Sequence, residues 1–125
     1  MSFRVAFCVS GLGRLARAAI MSADDLGIQP VAMILDEKAD PALADRAAEA
    51  GIVVTRLDPA DRERFDRELV SALETAAPDL VLLTFNKLVP DQLQQRFPRR
   101  IVNVHMSLLP AFTGFGALKK AIERG

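Results

Sequence analysis

At 125 residues the chain fits one domain and can bury a usable core. Its 16 basic side chains balance 16 acidic ones, so no global field attracts nucleic acid or a membrane surface. A single cysteine, Cys8, excludes an intrachain disulfide; with no signal-peptide pattern and no apolar run of membrane-spanning length, the expectation is a cytoplasmic protein.

Short apolar runs alternate with longer amphipathic ones. Residues 3–9 read as a first strand and 13–23 as a helix, joined through Ser10-Gly11-Leu12-Gly13. Residues 31–35 give a second strand, and 41–50 an alanine-rich helix stopped by Gly51. A third strand at 52–54 precedes Asp58-Pro59-Ala60-Asp61, whose acids offer caps to a helix over 60–75. That helix spaces Arg62/Asp66, Glu63/Arg67 and Arg64/Glu68 four apart. Pro78-Asp79 ends it ahead of a fourth strand at 80–83. A short helix at 91–97, a fifth strand at 101–104 and a last helix at 115–124 complete the series.

Near-continuous apolar strands separated by helices indicate a parallel sheet covered on both faces. Right-handed crossovers then predict an α/β, doubly wound, Rossmann-like three-layer fold with a mostly parallel sheet, strand order 3-2-1-4-5. The turns after the strands, at 10–14, 36–40, 85–90 and 105–114, share one edge.

Ser10-Gly11-Leu12-Gly13-Arg14-Leu15-Ala16 has G-x-G-x-x-A spacing, and its free amides and helix dipole suit a phosphate. With Asp36 as a ribose ligand it also matches a dinucleotide fingerprint, while tight strand-to-helix turns need glycine for backbone reasons alone. Asn103 and His105, the latter the only histidine, lie two apart at the end of strand five and so point to one side of an extended segment. An amide donor and an imidazole there can stabilise an oxyanion and move a proton. Ser107 lacks a glycine-flanked elbow and has no base but His105, two residues away, so it reads as a turn residue.

Four segments resemble the folate-dependent formyltransferase family, especially its phosphoribosylglycinamide formyltransferase branch. They are Ser10-Gly11-Leu12-Gly13, then Arg62-Glu63-Arg64-Phe65-Asp66-Arg67-Glu68-Leu69, then Phe85-Asn86-Lys87-Leu88-Val89. The most specific is Asn103-x-His105-x-Ser107-Leu108-Leu109-Pro110, continued by Gly114 and Ala121-Ile122-Glu123-x-Gly125. The resemblance runs through essentially the whole chain in matching order. It implies direct formyl transfer from 10-formyltetrahydrofolate to an amine, with no covalent enzyme intermediate and no metal. It assigns catalysis to Asn103 and His105, and the acceptor's phosphate to Gly11, Leu12, Gly13, Arg14 and Leu15. Folate falls to Arg62, Phe85, Asn86, Lys87, Leu88, Val89 and Asn103. The expected partners are small molecules, folate and a phosphorylated amine, with no nucleic acid and no membrane.

Leu12, Arg14 and Leu15 stand where the family usually carries small polar residues, so Arg14 is the group to pair with phosphate or the mark of a different anionic substrate. The resemblance further implies an aspartate, in a D-x-G-P-like segment later than Gly125, that orients the histidine. Residues 1–125 are therefore expected to be the N-terminal, Rossmann-like domain of the family fold. A completing C-terminal segment, or self-association through the edge of strand five, would finish it. Two other readings stay open: a formyltetrahydrofolate deformylase-like hydrolase that passes formyl to water, and a non-catalytic nucleotide- or folate-binding domain.

Overall fold

The computed structural model describes residues 2–85 and 87–104. Asn86, His105 and the helix expected at 115–124 lie outside those residues. The described elements run β1 (Phe3–Val9), α1 (Arg14–Met21), α2 (Ala23–Leu26), β2 (Ile28–Leu35), α3 (Pro41–Glu49), β3 (Val53–Arg56), α4 (Arg62–Ala76), β4 (Leu80–Thr84), α5 (Asp91–Arg96) and β5 (Ile101–Asn103). All strand pairs are parallel, and the order is β3-β2-β1-β4-β5, as the crossover rule predicts.

Central β1 is apolar on both faces because helices cover both. Val5, Phe7 and Val9 pack with Ala16 and Ala19 of α1 and Leu43, Ala44 and Ala47 of α3. Ala6 and Cys8 pack on the other face, with Phe65, Leu69 and Leu73 of α4 and Leu93 of α5. Burial pushes the Cys8 thiol well above its ordinary pKa, so it stays a neutral packing group with no thiolate to react.

Several element boundaries differ from the periodicity, the following for local reasons. Strand β2 begins at Ile28 rather than 31, carrying Pro30 inside it. Proline has no N–H for the ladder, and the register shifts there: Val5 faces Pro30 but Ala6 faces Ala32, a bulge that absorbs the missing donor. The first helix breaks at Ser22, leaving short α2 to end on left-handed Gly27. Edge strand β3 is displaced to Val53–Arg56, since its ladder follows Ala32–Leu35 and not the apolar run at 52–54.

Helix α4 starts at Arg62 because Asp61 caps it, accepting from the Arg64 N–H at 3.1 Å, while Asp58 closes the preceding turn on the Ala60 N–H at 2.9 Å. Two of its predicted ion pairs form, Arg62–Asp66 at 3.0 Å and Arg64–Glu68 at 2.7 Å. This helix fixes one wall of the site.

Candidate active site

The strand order reverses between β1 and β4, the position at the carboxyl edge of the sheet where doubly wound folds take ligands, and the space between the two following turns is termed the crevice. On the β1 side, Gly11 and Gly13 both take left-handed backbone, with φ of 75° and 65°. A Cβ on Gly13 would stand 2.5 Å from Leu43 Cδ2, so close packing of α1 on α3 requires glycine there; Gly11 needs it for φ alone. Helix α1 has no side-chain cap and no acid in its first turn, so its leading amides face the crevice edge with the positive end of the dipole. Arg14 is exposed at the first helical position.

The loop is bolted from behind. The Gly11 N–H donates to the Lys38 carbonyl at 3.0 Å, and the Asp40 N–H donates back to the Gly11 carbonyl at 2.7 Å. Arg17 donates to the Leu12 carbonyl at 2.8 Å and pairs with Asp40 at 2.9 Å. Neither Arg17 nor Asp40 belongs to the sequence-derived site, because their contact joins α1 to the turn after β2 across 23 residues of sequence.

Across the crevice, the turn after β4 is held by α4. The Arg62 guanidinium donates to the Leu88 carbonyl and lies 5.3 Å over the Phe65 ring. Its Nε also pairs with Asp66 Oδ1, a buried oxygen that no hydrogen bond reaches and that relies on this ion pair. Phe65 meets Phe85 with ring centroids 5.9 Å apart. Arg62, Phe85, Lys87, Leu88 and Val89 are thus brought to one side of the site. Their exposures differ, however: Phe85 and Val89 pack against the core, whereas Leu88 is 84% exposed.

Lys87 does not stand free in solvent. Its side chain is 16% exposed and its Nζ lies 2.7 Å from Glu37 Oε1 and 3.3 Å from Asp36 Oδ2. The Glu37 hydrogen bond raises the Lys87 pKa, and the same bond holds Glu37 below the usual carboxylate range. Asp36 also accepts from the Ser10 hydroxyl and from the Lys38 N–H. With no exposed side-chain surface and three donors already on it, Asp36 has no reach to a ribose hydroxyl, which removes the acidic half of the dinucleotide fingerprint.

Asn103 is exposed at the end of β5, opposite Leu83, and the next ladder bond runs from the Val104 N–H to the Leu83 carbonyl at 2.9 Å. One strand spacing separates it from the β4 turn and two, about 10 Å, from the β1 loop. The amide therefore sits beside the crevice; His105, its neighbour in the motif, lies outside the described residues. A groove of about 700 Å³ runs along α4 over β2 and β3, lined by Arg4, Val31, Val53, Thr55, Arg67 and Thr75, and includes none of these groups. Among the described residues, no three His, Cys, Asp or Glu side chains gather to hold a metal, and no helix is long and apolar enough to cross a membrane.

Residues 3–125 match the formyl transferase family. The chain belongs to that family. It is 33% identical over 99 residues to the phosphoribosylglycinamide formyltransferase of Escherichia coli, covering 76% of this chain and 47% of that one. It is 35% identical over 129 residues to the trifunctional purine biosynthetic protein adenosine-3 of Drosophila melanogaster, covering 98% of this chain and 10% of that protein. Its fold superposes on glycinamide ribonucleotide transformylase 1 of Symbiobacterium toebii with a TM-score of 0.81 at 32% identity, covering 99% of this chain and 61% of the other. The formyl transferase chain thus spans about half the length of the bacterial curated relative and a small part of the trifunctional one.

Proposed function

We propose that this crevice takes part in formyl transfer from 10-formyltetrahydrofolate to the amine of phosphoribosylglycinamide or a closely similar phosphorylated amine. The observation that carries the reading is the opposition, across the β1/β4 reversal, of an uncapped helix terminus with Arg14 to an aromatic and guanidinium-backed turn, with Asn103 beside them. The amides of the first turn of α1, with Arg14, suit the acceptor's phosphate. The backbone of the 85–90 turn, backed by Arg62 and Phe65, suits the flat, hydrogen-bonding ring system of a folate, with Leu88 as an exposed apolar contact.

The folate supplies a formyl carbon bound to nitrogen. As the acceptor amine forms its new C–N bond, negative charge grows on the formyl oxygen, where the Asn103 amide donates a hydrogen bond. The bond to the folate nitrogen then breaks, the amine gives up a proton and the departing nitrogen gains one. By the resemblance of the motif, His105 is the group expected to handle that proton. Asp36 is no substitute for the aspartate expected to orient the histidine: β2 and β5 are three strand spacings apart, about 14 Å.

The test is a transfer assay with 10-formyltetrahydrofolate and phosphoribosylglycinamide, run on the chain and on the longest native form of the protein. Asn103→Ala is expected to lower kcat about 100-fold, and His105→Ala at least as much. Formyl release to water, unchanged by added amine, would favour the hydrolase reading instead. Folate binding without turnover in every form would favour the non-catalytic one, and NADH binding without folate binding would overturn the proposal.

A further inference from the structure

We infer that Lys87, with Glu37 and Asp36, forms a strap over the end of β1 that ties the 85–90 turn to the Gly11 loop and sets the two walls of the crevice together. Lys87 follows β4 and the two acids follow β2; β1 lies between those strands, so the lysine reaches across about two strand spacings, roughly 10 Å. Ser10, the residue under that arm, donates its hydroxyl to Asp36. The acids belong to the same turn that grips Gly11 through the Lys38 carbonyl and the Asp40 N–H. A shift of either wall is therefore transmitted through one short turn.

The chemistry favours a persistent strap over a loose surface pair. Asp36 has no exposed side-chain surface, so its charge is stabilised by the donors already on it, Lys87 among them. Lys87 is also largely sheltered, and its removal would leave that carboxylate without a cation. The opposite side of the turn is fixed by the Arg62 bond to the Leu88 carbonyl. The 85–90 turn is thus held between α4 and the β2 turn, and the second hold adds to the bond that the Thr84 hydroxyl, just before the turn, donates to the Cys8 carbonyl of β1 at 2.9 Å. Lys87, Glu37 and Asp36 are positioning residues in this scheme: they act on the ligand-binding backbone and not on the reacting atoms.

The inference rests on the proposed function only for what the two walls bind, and the experiment separates the two. Amide hydrogen exchange is followed on the ligand-free chain, wild type against Lys87→Met, Glu37→Gln and Lys87→Arg. The Gly11 and Asp40 amides are expected to exchange about tenfold faster in Lys87→Met and measurably faster in Glu37→Gln. Lys87→Arg should restore protection, and the Gly27 amide, at the far end of β2, should not respond. Faster exchange confined to the amides of Lys87, Leu88 and Val89 would overturn the strap. Glu37→Gln and Lys87→Arg leave a cation beside buried Asp36, so the test survives if Lys87→Met does not fold. The same proteins are then titrated with 5-formyltetrahydrofolate, with and without phosphoribosylglycinamide. Loss of at least threefold in the coupling between the two ligands is expected in Glu37→Gln. If neither ligand binds wild type while the Gly11 amide responds, the functional reading falls and the strap stands; if both bind and neither coupling nor exchange changes, the strap falls.

Discussion

The two walls of the crevice are built in different currencies. The β1 wall is made by backbone: two left-handed glycines, an uncapped helix start and main-chain hydrogen bonds to the β2 turn. The β4 wall is made by side chains brought from elsewhere: Arg62 and Phe65 from α4, and Glu37 and Asp36 from the β2 turn. Backbone walls tolerate little substitution where they are close-packed, whereas side-chain walls fail in steps as individual contacts are removed.

The largest expected effect therefore lies in the β1 wall. Gly13→Ala places a methyl 2.5 Å from Leu43 Cδ2 in left-handed backbone, and the two penalties together should cost about 2–4 kcal/mol in urea unfolding. Gly11→Ala meets nothing within 4 Å and incurs only the backbone penalty, about 1 kcal/mol. Equal losses at the two positions would mean that α1 does not pack on Leu43 as closely as described.

On the β4 wall, Arg62→Ala removes the hydrogen bond to the Leu88 carbonyl, the contact with Phe65 and the ion pair on which the buried Asp66 Oδ1 relies, although the Arg62 side chain itself is 49% exposed. Stability should fall by about 1–2 kcal/mol, while 5-formyltetrahydrofolate affinity should fall about fivefold to tenfold as the turn loses a hold. A stability loss with unchanged affinity would reverse that assignment.

The strap adds a pH signature. Glu37 is held low, so its contribution is present above the ordinary carboxylate range and is lost as pH falls through its depressed folded value. Lys87 is held high, so its contribution is present below the ordinary lysine range and is lost as pH rises through its raised folded value. The charged neighbours on these groups are Asp36, Lys38 and each other. Unfolding of wild type and Glu37→Gln should accordingly differ by a constant amount from about pH 5 to 10 and converge at both extremes. Convergence at neutral pH would show that the pair is solvent-screened.

The same contrast explains what was legible in the sequence. Gly11 and Gly13 announce the β1 loop because left-handed backbone selects one residue type within a few positions. Strand order was equally accessible, since handedness and apolar continuity leave few arrangements. Lys87 was legible only as a loop cation, because its partners lie 50 and 51 residues away and no local pattern records them. Asp36 suggested a ribose ligand on spacing, and only the donors around it reveal that its oxygens are engaged. Pro30 misplaced the start of β2 because a bulge, a pairwise property of two strands, is absent from either strand's own periodicity.

The smallest expected effect lies far from the crevice, where α4 ends. Ala77 takes left-handed backbone, φ 49°, directly before Pro78, and its N–H closes on the Leu73 carbonyl at 3.0 Å. Arg4 locks this geometry by donating to the carbonyls of Ala76 and Ala77. An alanine in this region carries about 1–2 kcal/mol of Cβ strain. Glycine would relieve it but adds about 0.5–1 kcal/mol of unfolded-chain entropy. Ala77→Gly should therefore raise unfolding free energy by about 0.5 kcal/mol in urea. Ligand affinities should stay unchanged, because the cap touches the amino edge of β1 and neither wall of the crevice. A destabilisation would mean that Pro78 and Arg4, rather than the Cβ, set the strain at this turn.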